Sequence, residues 1–488
     1  MALVEAKIIK MELPNFSIGE AENGTLYKFK GGVLGQLVLL STSKKKGKYR
    51  KAKLLEILEK SDLETLNNES QLNLMSGNRF DNVPYEKELE IKSEMLQELY
   101  AQIDWQKKIK LNPSSLVAAY RNKMEYTFGD EYIGGPLMLG MHKIGHFYEI
   151  TDYSGGTIVN SGFDKLRRFT QDFFRNTDLK HHHKTKHEGE LKFFVIRYSF
   201  FENAYMLNLV TSSSEKVSDK ILSDYVNDVL QVDIDGKVVS IYHTISDSIA
   251  DAIKPDEINL LYGKADLTEE INGLKFKISP FSFFQPNPLS AENLYNKALE
   301  LADDLENKTV FDLYSGTGTI SQIFAKKAKS VVGVEIVEEA VIKARENAEL
   351  NNLSNIDFRA NDVLDELDNL TDTPDIIVLD PPRMGIHVSA LPKIAGLGAD
   401  TIIYISCNPD TQVEDILSFK EFGYKVLSIE AFDQFPRAMH VEAVALLSKL
   451  DVEKHIDFEL RLMSLMWQAR RARQHTLKSK KLLFINFL

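Results

Sequence analysis

Cysteine is almost absent: the 488-residue chain holds one, Cys407. A single thiol excludes an intramolecular disulfide framework and any zinc or iron–sulfur centre built on several cysteines. Long apolar runs are also missing, and none reaches the roughly 18 residues that cross a bilayer. The first sixteen residues carry Glu5 and Glu12 among apolar positions, which is not the pattern of a signal peptide. A cytoplasmic protein without a membrane partner is expected. Low-complexity linkers and internal repeats are missing too. Positive charge is in deficit, with 59 Lys and Arg against 71 Asp and Glu and a net charge of −12. That balance argues weakly against a nucleic-acid partner, because phosphate contacts need basic side chains.

The distribution of charge softens this objection. Lys44, Lys45, Lys46, Lys48, Arg50, Lys51 and Lys53 form one basic stretch, Lys180–Lys192 with four histidines a second, and Arg470–Lys481 a third. Each is a solvated face or a site for RNA phosphates, and an acidic protein with basic stripes can bind RNA in a salt-sensitive way.

The length calls for two to four domains. Residues 1–60 read as a small OB-like β-barrel, with β-rich runs at Leu26–Phe29, Gln36–Leu40 and Tyr49–Ile57. Residues 61–270 read as a central α+β domain. Its helical lead-in runs from Leu63 to about Leu111, on the spacing of Leu89, Ile91, Met95, Leu96 and Leu99. Strand signals follow at Phe147–Thr151, Phe193–Tyr198 and Ala204–Val210, with an amphipathic stretch at Phe163–Phe174. Residues 271–455 alternate short apolar runs with helical stretches, the order of a doubly wound, mostly parallel sheet. Residues 456–488 form a basic tail. The fold class expected is therefore multidomain α/β.

In such sheets ligands bind beyond the carboxyl ends of the strands. Polar residues recur at each of those ends. Asp312-Leu-Tyr314-Ser-Gly316-Thr-Gly318 follows the first strand, Glu335 the second, Asp362 the third, Asp380-Pro-Pro-Arg383 the fourth and Ser406-Cys407-Asn408-Pro409 the fifth. The glycine pair allows a tight turn and close approach of a ligand to the backbone. A carboxylate one strand later can hold both hydroxyls of a ribose. Together with Asp312 these features favour S-adenosylmethionine over NAD, against the plainer view of Glu335 as a surface charge. Asp380 sits on a turn stiffened by two prolines, which aims a carboxylate into the cleft or simply ends a strand. A free cysteine taken alone is usually a small buried hydrophobe. Cys407 instead occupies a polar turn at the binding edge. A thiolate there can add to carbon 6 of a uracil and make carbon 5 nucleophilic, provided that a base later removes the carbon 5 proton. Glu442 is the candidate base and His440 its rival; the plainer reading makes His440–Leu447 an ordinary strand.

These segments resemble the RNA (uracil-5-)-methyltransferases, and above all the bacterial ribosomal RNA branch. The likeness rests on Phe283-Phe-Gln285-Pro-Asn287, the Asp312–Gly318 loop, Asp380–Arg383, Ser406–Pro409, and Phe435-Pro through His440-Val-Glu442, in matching order and spacing over about residues 5–455. The resemblance implies a TRAM barrel at the N-terminus and an RNA-binding central domain containing Tyr120–Glu125. It implies Gln285, Tyr314, Glu335 and Asp380 as contacts to S-adenosylmethionine or the target base, with Thr319 and Asp362 as further contacts. It implies Cys407 as nucleophile, Glu442 as base, and a uridine flipped out of the RNA. A monomer acting on RNA is expected, ribosomal RNA before transfer RNA. Many relatives carry a four-iron cluster on four cysteines. Here the corresponding stretches, Asn67–Tyr85 and Tyr153–Val159, have none, so no cluster and no metal is expected. The competing readings are a methyltransferase acting on another atom, such as an amino nitrogen, through Asp380, and a ribosome-assembly factor without catalysis.

Overall fold

The computed structural model describes residues 2–46, 49–66, 77–143, 148–250, 252–370 and 372–449, with the backbone alone for 43–46. The basic tail and Lys48 lie outside the described residues, and of Lys44, Lys45 and Lys46 only the backbone is described.

Five strands, Ala2–Glu12, Phe16–Glu20, Leu26–Lys30, Leu37–Lys46 and Tyr49–Glu59, close into a barrel. Alternate side chains, among them Ala6, Ile8, Tyr27, Phe29, Val38 and Leu40, fill its interior. Gly19 packs tightly there: a Cβ would stand 3.0 Å from the Phe29 ring and 3.1 Å from Ala6, so a larger residue would press on both. Arg50, Lys51 and Lys53 point to solvent from the last strand.

The central domain is a seven-stranded sheet, ordered 257–263, 237–245, 204–211, 191–199, 123–129, 138–142 and 150–151. Helices Ser161–Arg175 and Asp219–Val229 pack on it. Asn160 caps the first of them, and Phe163, Leu166 and Phe174 bury its apolar face. Of the strand signal at Phe147–Thr151, Ile150–Thr151 is a strand, and residues 144–147 lie outside the described residues. The basic stretch at Lys180–Lys192 is less uniform than its sequence suggests. Lys192 is buried and donates to the carbonyls of Ser246 (2.6 Å) and Ser248 (2.8 Å), so it belongs to the fold and not to a phosphate-facing surface.

Two boundaries differ from the sequence reading. Among the described residues the helical lead-in is one α-helix, Tyr85–Tyr100, continued by the 3₁₀ turn Ala101–Ile103, and it does not belong to the central domain. It buries Ile91, Met95, Leu96 and Tyr100 in the core formed by Ile402, Tyr404, Ile416 and Phe419 of the C-terminal domain. Asp104, in a left-handed conformation (φ 62°), ends the run, and Lys110–Asn112 then joins the C-terminal sheet as an edge strand. The boundary expected at 270 falls inside a hairpin, Leu267–Ile271 with Leu274–Ile278. The hairpin packs against Ala204, Met206 and Tyr242 on one side and Phe324 on the other, so the two domains share a core.

The C-terminal sheet has eight strands, ordered 356–360, 330–335, 309–313, 376–379, 401–406, 442–449, 424–432 and 110–112. The first five are parallel. The order reverses between 309–313 and 376–379, and that switch point is where an open sheet leaves a crevice.

Candidate active site

The five strand ends converge on this crevice. Tyr314 leaves the first strand in the left-handed region (φ 70°), and Gly316 (φ 54°) and Gly318 (φ 74°) complete the turn. At Gly318 a Cβ would meet the Phe358 ring at 2.5 Å, so only glycine fits there; at Gly316 it would meet nothing within 4 Å, because the loop faces open space. Glu335 braces that loop. One of its carboxylate oxygens accepts from the Gly316 amide (3.0 Å) and the other from the Val337 amide (2.9 Å). Thr319 is buried at the start of the following helix. Asp362 caps the helix Val363–Glu366 by accepting from the Leu364 amide at 2.8 Å.

Behind the loop lies Asp312, fully buried. It accepts from the Ser321 hydroxyl through one oxygen, and its other oxygen has no partner. Burial raises its carboxyl to about 7. Solvent still touches Asp380, yet protein surrounds it on most sides, and this crowding, with Asp312 nearby, raises it to about 7 as well. Glu442, at the first position of its strand, is 3% exposed. Burial and then Asp380 push its carboxyl well above the usual range, while Arg383 pulls the other way. Cys407 is half-buried after the fifth strand. Burial, then Glu442 and Asp380, push its thiol up to about 12, and Arg383 again opposes them. Arg383 donates to His440 Nδ1 at 2.7 Å and its carbonyl accepts from Asn408 Nδ2 at 2.8 Å. The partly buried imidazole, facing Arg383 and Lys92, is lowered to about 4 and is neutral.

The crevice thus brings together Cys407, Glu442 and Asp380, with Asp312 linking them to the glycine loop and Glu335. Gln285 joins through Tyr295, which it hydrogen-bonds. Thr319 and Asp362 flank the loop, Asp362 on the side of Tyr314. Two residues escaped the sequence reading. Tyr295, on the helix Pro288–Leu301, is buried among Gln285, Asp380, Glu442 and Asp312. Arg383 is the counter-charge to Cys407 and Glu442. Tyr295 lies outside every motif singled out in the sequence, and Arg383 stands there only as the end of the proline turn Asp380–Arg383.

Four carboxyl groups (Asp312, Glu335, Asp380, Glu442) line the crevice, with Arg383 set against Glu442 and the thiol. Such a set suits a ligand that carries a positive charge and sugar hydroxyls, and the unpartnered Asp312 oxygen and Ser315 hydroxyl beside an open glycine loop leave polar atoms for it.

Residues 263–450 match the family model described as tRNA (uracil-5-)-methyltransferase. A protein of Clostridium tetani described as an uncharacterized RNA methyltransferase is 39% identical over 449 residues, covering 92% of this chain and 98% of that one. One from Caldanaerobacter subterraneus with the same description is 38% identical over 449 residues, covering 92% and 99%. The chain belongs to the RNA (uracil-5-)-methyltransferase family. It is an enzyme whose methyl donor is S-adenosylmethionine, the ligand class that the acidic crevice suits. The fold agrees with the Pyrococcus abyssi tRNA (uracil-54, C5)-methyltransferase in complex with S-adenosyl-L-homocysteine, at a TM-score of 0.71 and 24% identity over 91% of this chain and all of that one.

The described parts of the stretches Asn67–Tyr85 and Tyr153–Val159 are joined by hydrogen bonds. Asn78 Nδ2 donates to the Gly155 carbonyl (2.9 Å) and to the Tyr153 hydroxyl, and the Thr157 hydroxyl donates to Asp81. No group of three or more potential metal ligands exists among the described residues.

Proposed function

We propose that this methyltransferase acts on carbon 5 of a uridine in 23S ribosomal RNA by covalent catalysis through Cys407. The observation that carries the reading is the meeting of one thiol, one buried carboxyl and one guanidinium at the crevice edge. Cys407 Sγ, as thiolate, bonds to carbon 6, and the ring's π pair moves to form an enolate. The bound donor supplies a methyl carbon on a sulfonium. Carbon 5 bonds to that carbon as the carbon–sulfur bond breaks. Glu442 then takes the proton from carbon 5, the double bond re-forms, and the thiolate leaves. Arg383 favours the thiolate, and its hydrogen bond from the guanidinium to His440 fixes it beside the sulfur.

Support for ribosomal RNA comes from the barrel and its exposed Arg50, Lys51 and Lys53. The family model's description favours transfer RNA as the second reading. RNA carrying 5-fluorouridine separates the chemistry from its rivals. Fluorine cannot leave as a cation, so a covalent complex through Cys407 should persist; RNA that binds without forming it would end the covalent reading. Mapping 5-methyluridine in ribosomal and transfer RNA from cells with and without the protein decides the substrate.

We assign Glu335, Gly316 and Tyr314 to the donor, with Gln285, Asp380, Thr319 and Asp362 as further contacts to donor or base. Hydrogen bonds to a charged group contribute about 1.5–3 kcal/mol, so Glu335→Ala should weaken donor binding by roughly 10- to 140-fold. Calorimetric titration with S-adenosylmethionine measures this; an unchanged Kd would remove Glu335 from the site.

The pH profile follows from the thiol. Its charged form is the disfavoured one, so below about 12 the thiolate fraction grows with pH. The single-turnover rate of adduct formation should rise about tenfold per pH unit from acid to neutral until another step limits it. Protonation of Asp380, raised to about 7, removes one of the charges that push the thiol up and so opposes part of this acid loss. A flat profile between pH 6 and 8 would contradict the raised thiol.

A further inference from the structure

The helix Tyr85–Tyr100 carries two charges inside its buried stripe. Glu88 and Lys92 are both 0% exposed, and they meet Asp433, 1% exposed, across 341 residues of sequence. Lys92 Nζ stands 2.6 Å from Glu88 Oε1 and 2.6 Å from Asp433 Oδ1, and it also donates to the Phe435 carbonyl at 3.3 Å. Tyr85 completes the cluster by donating to the other Asp433 oxygen at 2.8 Å while accepting from the Ser114 amide.

These groups hold one segment, Asp433–Val441, which leads directly into Glu442. Glu88 accepts from the Arg437 amide at 2.7 Å, the Phe80 amide donates to the Arg437 carbonyl at 3.0 Å, and the Tyr120 hydroxyl donates to the Pro436 carbonyl at 2.9 Å. Arg437 sits at φ 71°, a conformation that a side chain other than glycine's keeps only when its surroundings over-determine it. The Phe435 ring meets the His440 ring edge-on with centroids 6.3 Å apart, and His440 in turn holds Arg383 beside the thiol.

A buried ion cluster of this kind is a poor source of stability. Removing three charges from water costs much of what their attraction returns, and well-packed apolar residues often replace such clusters without loss. What the cluster does supply is a fixed geometry for the segment it grips. We propose that Glu88, Lys92 and Asp433 are positioning residues for proton removal, holding the Asp433–Val441 segment so that Glu442 faces carbon 5. The inference rests on the reading of Glu442 as the base.

Lys92→Met tests it, with ribosomal and transfer RNA from cells lacking the protein and labelled S-adenosylmethionine as probes. Single-turnover methyl incorporation should stay within about threefold of the unaltered enzyme, while turnover falls about 30-fold or more, a large part of what a general base contributes. A methylated RNA–protein adduct should then accumulate on denaturing gels with ordinary uridine. A merely structural role would lower both rates in proportion, with no adduct, and would overturn the proposal. Where Lys92→Met does not fold, Tyr85→Phe carries the same comparison, with an expected loss of turnover of about fivefold for one hydrogen bond. Glu442→Gln runs in parallel. If it traps adduct and the cluster variants do not, the positioning role fails alone. If it turns over normally, the base assignment fails, and this proposal fails with it.

Discussion

Replacing Cys407 by alanine should abolish methylation, by about 10⁴-fold or more, with S-adenosylmethionine binding changed by less than about threefold. The size of the effect follows from the substrate. Carbon 5 of uracil is a weak nucleophile, and no other thiol in the chain can activate it. The Cys407→Ser variant should be nearly as impaired. Burial already pushes the thiol up to about 12, and the same surroundings act on a hydroxyl that is far less acidic to begin with. Arg383, the one guanidinium in the cluster, cannot offset that difference. The measurement is incorporation of labelled methyl into RNA, with donor affinity as the control for folding. Transfer to an amino nitrogen through Asp380 would need no thiol, so an active Cys407→Ala enzyme would establish that chemistry instead.

Much of the crevice was legible in the sequence, because parallel strands announce themselves as short apolar runs and their carboxyl ends are fixed in advance as the binding edge. That rule placed Asp312, Glu335, Asp380 and Cys407 together without a structure. What it could not place came from outside the alternating pattern. The helix at Tyr85–Tyr100 was visible from Ile91, Met95 and Leu96, but its partner was not, since periodicity says which face is buried and not against what. Glu88 and Lys92 fall on that buried face, and charged residues there read as interruptions until Asp433 is seen opposite them. The strand Lys110–Asn112 is three residues long, too short for any pattern. The hairpin at Leu267–Ile278 serves both neighbouring cores, so a boundary drawn from a change of texture cut through it. Lys192 shows the converse limit: a lysine within a basic run was counted as surface, although two carbonyls hold it inside.

The second large effect is expected at Glu442, and its signature differs in kind. Glu442→Gln should complete one methyl transfer and then stall, lowering turnover by about 10³-fold while a methylated covalent complex accumulates. Glutamine keeps the shape of the side chain and cannot take the proton, so the thiolate has no route out. The surroundings favour this carboxyl over His440. Burial and Asp380 push Glu442 well above the usual carboxylate range, which strengthens it as a base. Burial and Arg383 lower His440 to about 4, and its Nδ1 already accepts from Arg383 at 2.7 Å. An imidazole so placed orients the guanidinium and has little affinity left for a proton. His440→Gln should therefore cost no more than about tenfold, through Arg383, and should accumulate no methylated adduct. Gel analysis of both variants, with ordinary uridine and labelled donor, reads the difference directly. Adduct in His440→Gln and free turnover in Glu442→Gln would exchange the two roles.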